Sequence, residues 1–125
     1  MFNYIENIKN VLRTIDNPLK RLKNVSEKDR LEREYYDKEA EKYLLNFDEG
    51  LFRYDENEEF PPRHRYFYSL LEDIQGKHIL DCCCGYGFTA VKCAKLGAHI
   101  TSIDISPKMI ELTKKNVEFN HGGCR

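Results

Sequence analysis

Apolar residues recur from the first position of the chain at Met1, Ile5, Ile8, Leu12, Ile15, Leu19 and Leu22. Alternating steps of four and three place them on one seam of a helix. Asp16-Asn17-Pro18 interrupts the seam, because proline fits the first turn of a helix and breaks an interior. Residues 1–25 are therefore expected to form one or two amphipathic helices. Ser26 with Asp29 three positions on opens a further helix, SEKDRLEREYYDKEAEKYLL, in a capping-box arrangement. Tyr36, Ala40, Tyr43, Leu44 and Phe47 share its apolar face. Residues 46–61, rich in Asp and Glu and closed by Pro61-Pro62, are expected to be an acidic, turn-rich linker, and RHRYFYSLLEDI a short aromatic helix stopped at Gln75-Gly76.

The period changes at Lys77. HILDC is a short apolar run ending on an acid, GFTAVKCAKLG has helical spacing and a glycine stop, and AHITSID is a β-branched run ending on a second acid. SPKMIELTKKNVEFN then has Ser106 as cap and Pro107 at the first helical position. Strand, helix, strand, helix predicts a parallel sheet of the α/β class, with both strand ends and their loops on one edge.

Composition narrows the class of protein. The chain has 125 residues, 33% of them charged and 41% hydrophobic, which suits one domain with a thin core. A net charge of −1 with evenly spread Lys and Arg provides no footprint for nucleic acid or an anionic membrane. No stretch approaches the ~20 apolar residues of a membrane span, and the N-terminus lacks the layout of a signal peptide. Five cysteines without framework spacing fit a reducing, cytoplasmic setting.

The candidate chemistry lies at the sheet edge, where open α/β sheets bind ligands. Asp81 and Asp104 end the two strands. Between Asp81 and the next helix, Gly85 and Gly87 allow a tight turn, and the helix opening near Phe88 directs N–H groups at an anionic group. Asp104 follows Gly85 by 19 residues, the span of one helix and one returning strand, where an acid suits the hydroxyls of a ribose. A nucleoside-containing ligand is expected. Gly85-x-Gly87-x-x-Ala90 with Asp104 also matches the dinucleotide fingerprint, so an NAD-type cofactor is an alternative. The run Cys82-Cys83-Cys84 does not suit zinc, since neighbours in a strand point to opposite faces, and no metal is expected. Cys84, near a helix N-terminus, is the one candidate for a reactive thiolate, whereas Cys82 is expected to pack beneath the helix.

Asp81-Cys82-Cys83-Cys84-Gly85-Tyr86-Gly87 resembles the first motif of class I S-adenosylmethionine-dependent methyltransferases, and SIDISPKMI resembles their second. EREYYDKEAEKY resembles the helix preceding the core in the small-molecule branch of that superfamily, which includes enzymes of quinone biosynthesis. The resemblance covers residues 32–120, most strongly 77–116. Apart from the N-terminal amphipathic helices read from the apolar seam (1–25), it implies a helical cap (26–76) and the first βαβα half of a Rossmann-like, doubly wound parallel sheet (77–125), apparently truncated. It also implies that S-adenosylmethionine is the cofactor. Backbone groups at Cys83 and Gly85 would hold its methionine portion and Asp104 its ribose, while Ile105 and Met109 would flank the adenine. Asp81 would organise the glycine loop, with Gly87 as part of that loop, and Tyr36 would close over the cofactor. Cys83 stands where the family usually has its first glycine.

The implied reaction is in-line transfer of a methyl group to a small-molecule acceptor, with no catalytic residue identifiable. Two parallel strands alone leave a full edge exposed. A fragment of a longer enzyme, inactive by itself, is therefore expected. The alternative is a non-catalytic or degenerate protein that associates with itself or a partner through the open sheet edge or the N-terminal helix.

Overall fold

The computed structural model describes residues 26–55, 62–71 and 73–122. The N-terminal apolar seam lies outside the described residues. Helix α1 (Glu27–Leu45) starts at a complete capping box: Ser26 Oγ accepts from Asp29 N at 3.1 Å, and Asp29 Oδ2 accepts from Ser26 N at 3.2 Å. Glu27 and Asp29 at its start and Lys42 in its last turn match the helix dipole. What attaches α1 to the rest of the chain is its second half. Ala40 is buried, and Tyr43, Leu44 and Phe47 pack with it against Met109, Leu112 and Phe119.

The acidic segment after α1 departs from the expected linker. A single helical turn, α2 (Glu49–Phe52), forms there, with Asp48 Oδ1 accepting from Leu51 N at 3.0 Å. Phe52 is only 1% exposed and stacks on Phe47 at 4.7 Å and on Phe88 at 5.7 Å. Asn120 secures this turn from the far side, donating from Nδ2 to Phe52 O at 2.8 Å and accepting from Tyr54 N at 2.7 Å. Burying one such ring contributes about 1.5–3 kcal/mol, so this short turn is anchored to the core through Phe52 while Leu51 stays exposed. The aromatic helix α3 (Pro62–Ser69) follows, and Ile74 enters the core ahead of a left-handed Gly76 at φ 72°.

Strands β1 (His78–Cys82) and β2 (His99–Ile103) pair in parallel, His78 opposite His99 and Cys82 opposite Ile103. Helix α4 (Phe88–Lys95) connects them, and α5 (Pro107–Gly122) follows β2. This is the expected α/β order: helices, then two parallel strands of an open sheet. Both helices cover the same face, where Ile79 and Ile100 meet Ala90, Val91, Cys93, Ile110 and Val117. The opposite face is bare among the described residues. His78 and Cys82 are exposed there, and Leu80 is 62% exposed. Cys82 therefore does not pack beneath a helix as expected, because the pleat turns it to the side with Leu80.

Candidate functional site

The segment leaving β1 turns sharply because three of its residues are left-handed: Cys83 at φ 60°, Gly85 at 52° and Gly87 at 85°. Cys84 N donates to Ile103 O at 3.1 Å, extending the ladder past β1, and Gly87 N closes back on Cys84 O at 2.9 Å. Gly87 then caps α4, with Val91 N bonded to Gly87 O at 3.0 Å. The two glycines meet different surroundings. A Cβ on Gly85 would find nothing closer than Cys83 O at 4.0 Å, whereas one on Gly87 would lie 2.9 Å from Thr113 Cα, Cγ2 and Oγ1. Gly85 thus presents open backbone, and Gly87 lets α5 press against the loop.

Asp104 joins the two strand ends. It is 8% exposed; Oδ2 accepts from Gly85 N at 3.0 Å and Oδ1 from Ser106 N at 2.9 Å. One carboxylate therefore fixes both the glycine loop and the start of α5. Ser106 carries the capping further, its Oγ accepting from Met109 N at 3.0 Å.

Above this edge is a cleft of about 350 Å³. Six of the eight expected cofactor residues line it: Tyr36, Cys83, Gly85, Asp104, Ile105 and Met109. Met109, 3% exposed, belongs at the same time to the core around Ala40 and Leu112. Asp81 and Gly87 lie behind the lining. Burial holds the Asp81 carboxyl above its usual range, the Ser102 hydroxyl opposes that shift, and the charge of Asp104 adds to it. Neither Asp81 Oδ2 nor Ser102 Oγ, both buried, has a hydrogen bond of normal geometry. The sequence did not single out Glu32, Tyr35 and Glu39 of α1, nor Tyr86 of the loop, which complete the lining. Their signal was available: Glu32, Tyr36 and Glu39 recur at steps of four and three on one stripe of α1. Glu32, Glu39 and Asp104 are acids, and no Lys or Arg is among the described lining residues.

Cys84 is buried, and its Sγ accepts from Thr113 Oγ1 at 3.3 Å. Burial pushes its thiol up to about 12, so it is not the reactive thiolate that its place near α4 allowed; desolvation outweighs the Thr113 hydroxyl, which opposes it. Cys93 is pushed up to about 11 by the same cause. Among the described residues no group of three or more His, Cys, Asp or Glu is placed to hold a metal ion, and no helix is long and apolar enough to cross a membrane.

Residues 79–124, from β1 through the glycine loop and Asp104 into α5, match the family described as "Methyltransferase domain". That segment, a little over a third of the chain, is therefore similar to a methyltransferase domain. The chain is similar to magnesium-protoporphyrin O-methyltransferase of Rhodobacter capsulatus, 40% identical over 45 residues, which are 36% of this chain and 20% of that protein. A ubiquinone biosynthesis O-methyltransferase of Methylocella silvestris is 44% identical over 57 residues, 46% of this chain and 21% of its own length. An uncharacterised RNA methyltransferase of Protochlamydia amoebophila is 28% identical over 87 residues, 70% of this chain and 20% of its own. The matched segments thus span about a fifth of each relative. No solved structure matches. Helix α1 lies ahead of the matched residues yet supplies four of the side chains lining the cleft.

Proposed function

We propose that this chain is the cofactor-binding part of a class I methyltransferase, that it uses S-adenosylmethionine, that the cleft above Asp104 is its binding site, and that the acceptor is a small molecule. The observation that carries this is the bridge from Asp104 to Gly85 N at 3.0 Å and Ser106 N at 2.9 Å, at the mouth of an acid-lined cleft. Each carboxylate oxygen has two lone pairs, so Asp104 retains acceptor capacity for the two hydroxyls of a ribose. Open backbone at Gly85 and Cys83 suits the methionine portion, Ile105 and Met109 suit the flanks of adenine, and Tyr36 suits a cover. Asp81 and Gly87 shape the loop from behind. Glu39 is paired with Lys42 within α1, whereas Glu32, which lines the same cleft, forms no ion pair among the described residues and favours a ligand that carries positive charge.

The cofactor supplies a methyl group already activated on a cationic sulfur, so the protein's task is to hold and orient it and exclude water. The names of the relatives acting on magnesium-protoporphyrin and in ubiquinone biosynthesis support a small-molecule acceptor. Four described cysteines are free, in keeping with a reducing, cytosolic setting.

Equilibrium dialysis of the chain with labelled S-adenosylmethionine and with NAD tests the assignment. Binding is expected for the former alone. Asp104→Ala should weaken it more than tenfold, and Tyr36→Ala, which removes a lining side chain and no internal hydrogen bond, should weaken it less. Retention of NAD alone would overturn the proposal. The bare face around Leu80 favours a second reading, partner binding without catalysis, which would show as concentration-dependent association in sedimentation with neither nucleotide retained.

A further inference from the structure

The cleft leaves one buried-facing acid of α1 unused. Asp37 does not line it; its carboxylate turns toward α5, where Oδ1 accepts from Ser106 Oγ at 2.6 Å and from Lys108 N at 3.2 Å. Arg33 Nε, one turn back, lies 3.8 Å from Oδ2. Ser106 is fully buried, and its own N–H donates to Asp104 Oδ1 at 2.9 Å. Asp104 Oδ2 in turn accepts from Gly85 N at 3.0 Å. A continuous hydrogen-bonded path therefore runs from the glycine loop through Asp104 and Ser106 to Asp37.

Helix α1 is held unevenly along its length. Beyond Asp37, Ala40 is buried, Tyr43, Leu44 and Phe47 enter the aromatic cluster, and Lys115 Nζ donates to Leu44 O at 3.2 Å. Before Asp37, Leu31 is 54% and Tyr35 61% exposed, and the ion pairs of Arg30 with Glu27 and Glu34 stay within the helix. The first ten residues of α1 thus overhang the cleft, and Asp37 is where the overhang meets the core. Tyr36 is its neighbour. An acid on a solvated face would need only Arg33. Asp37 instead makes a charge-assisted bond to a buried hydroxyl 69 residues away.

We propose that Asp37 is a positioning residue: by gripping Ser106 and the start of α5, it sets the height of the N-terminal half of α1, and with it Tyr36, over Asp104. The overhang is a wall pinned at one point. The proposal rests on the cofactor assignment only for the ligand used in the second measurement below.

Hydrogen exchange on the full chain tests the pin without a ligand. In Asp37→Ala, amides of residues 31–36 should exchange at least about tenfold faster than in the wild type, while those of residues 41–45 keep their rates. Asp37→Asn, which retains an acceptor for Ser106, should restore most of the protection. Equal acceleration along all of α1, or none at 31–36, would overturn the proposal. Dialysis with S-adenosylmethionine then separates positioning from capping. Asp37→Ala should weaken binding roughly tenfold, and this loss should vanish in a Tyr36→Ala background, as for residues coupled in one network. The same loss in both backgrounds would mean that Asp37 only caps α5. If the wild type binds no S-adenosylmethionine, the cofactor assignment fails and the exchange pattern still decides the role of Asp37. Should Asp37→Ala not fold, Asp37→Ser is measured in the same way.

Discussion

Adding one methyl group at Gly87 would test how tightly α5 is pressed against the glycine loop. The new Cβ would lie 2.9 Å from three atoms of Thr113, among them its Cα, so a side-chain rotation cannot relieve the overlap. Moving α5 away would loosen Thr113 Oγ1 from Gly85 O, at 3.0 Å, and from Cys84 Sγ, at 3.3 Å. Two costs act together. A Cβ at left-handed φ costs ~1–2 kcal/mol, and overpacking ~1–3 kcal/mol. Gly87→Ala should therefore destabilise the fold by about 2–5 kcal/mol, a large part of the ~5–15 kcal/mol that holds a domain together. Gly85→Ala is the matched control: φ is 52°, but the nearest atom stands at 4.0 Å, so only the backbone cost of about 1–2 kcal/mol applies. Urea unfolding followed by far-ultraviolet circular dichroism reads both. With a slope of ~1–3 kcal/mol per molar, the Gly87→Ala midpoint should fall roughly 1 M below that of Gly85→Ala. Coincident midpoints would refute the close approach of α5.

Other outcomes follow from the same loop and core. Cys83→Gly removes a Cβ from a left-handed position; it should stabilise the fold by up to about 1 kcal/mol after the entropy of glycine is counted, and S-adenosylmethionine should bind at least as tightly, both read by thermal melts with and without ligand. A thiol reagent at pH 8 should label the exposed Cys82 and Cys83 quickly and the buried Cys84 and Cys93 only on unfolding, as mass spectrometry of the labelled peptides would show. Burial lowers His121 from 6.5 to about 4, so the unfolded chain takes up a proton first as pH falls. Stability should be level above pH 6.5 and decline between 6.5 and about 4 by about 3 kcal/mol from this residue, and His121→Phe should flatten that decline in urea midpoints measured across the range.

Most of the residues lining the candidate site are legible in the sequence, and so is the frame around them. The capping box at Ser26, the proline at the start of α5 and the alternation after Lys77 are local signals, each acting within one or two turns, and all reappear at the expected positions. Asp104 was legible because the length of a helix plus a strand fixes its return to Gly85. What was missed depends on contacts between distant segments. Phe52 sits among acids in a stretch too short to show a period, and only the docking of α1 on α5 makes a core position of it. Asp37 has the spacing of an ordinary helix-face charge, and its partner lies 69 residues on. Glu32, Tyr35 and Glu39 became lining residues once the overhang of α1 placed them above a loop that the helix pattern does not mention. Cys84 shows the converse, a position near a helix end whose burial decides its chemistry.

The double hold of Asp104 has an evolutionary side. Because the same carboxylate fastens the glycine loop and begins α5, substituting it would harm folding whether or not any methyl group is ever transferred. Selection for a foldable chain is therefore enough to preserve the acid, and the loop geometry with it. A lineage that lost whatever activity the cleft serves would still keep its shape, and the cleft would remain available for recruitment to a new role.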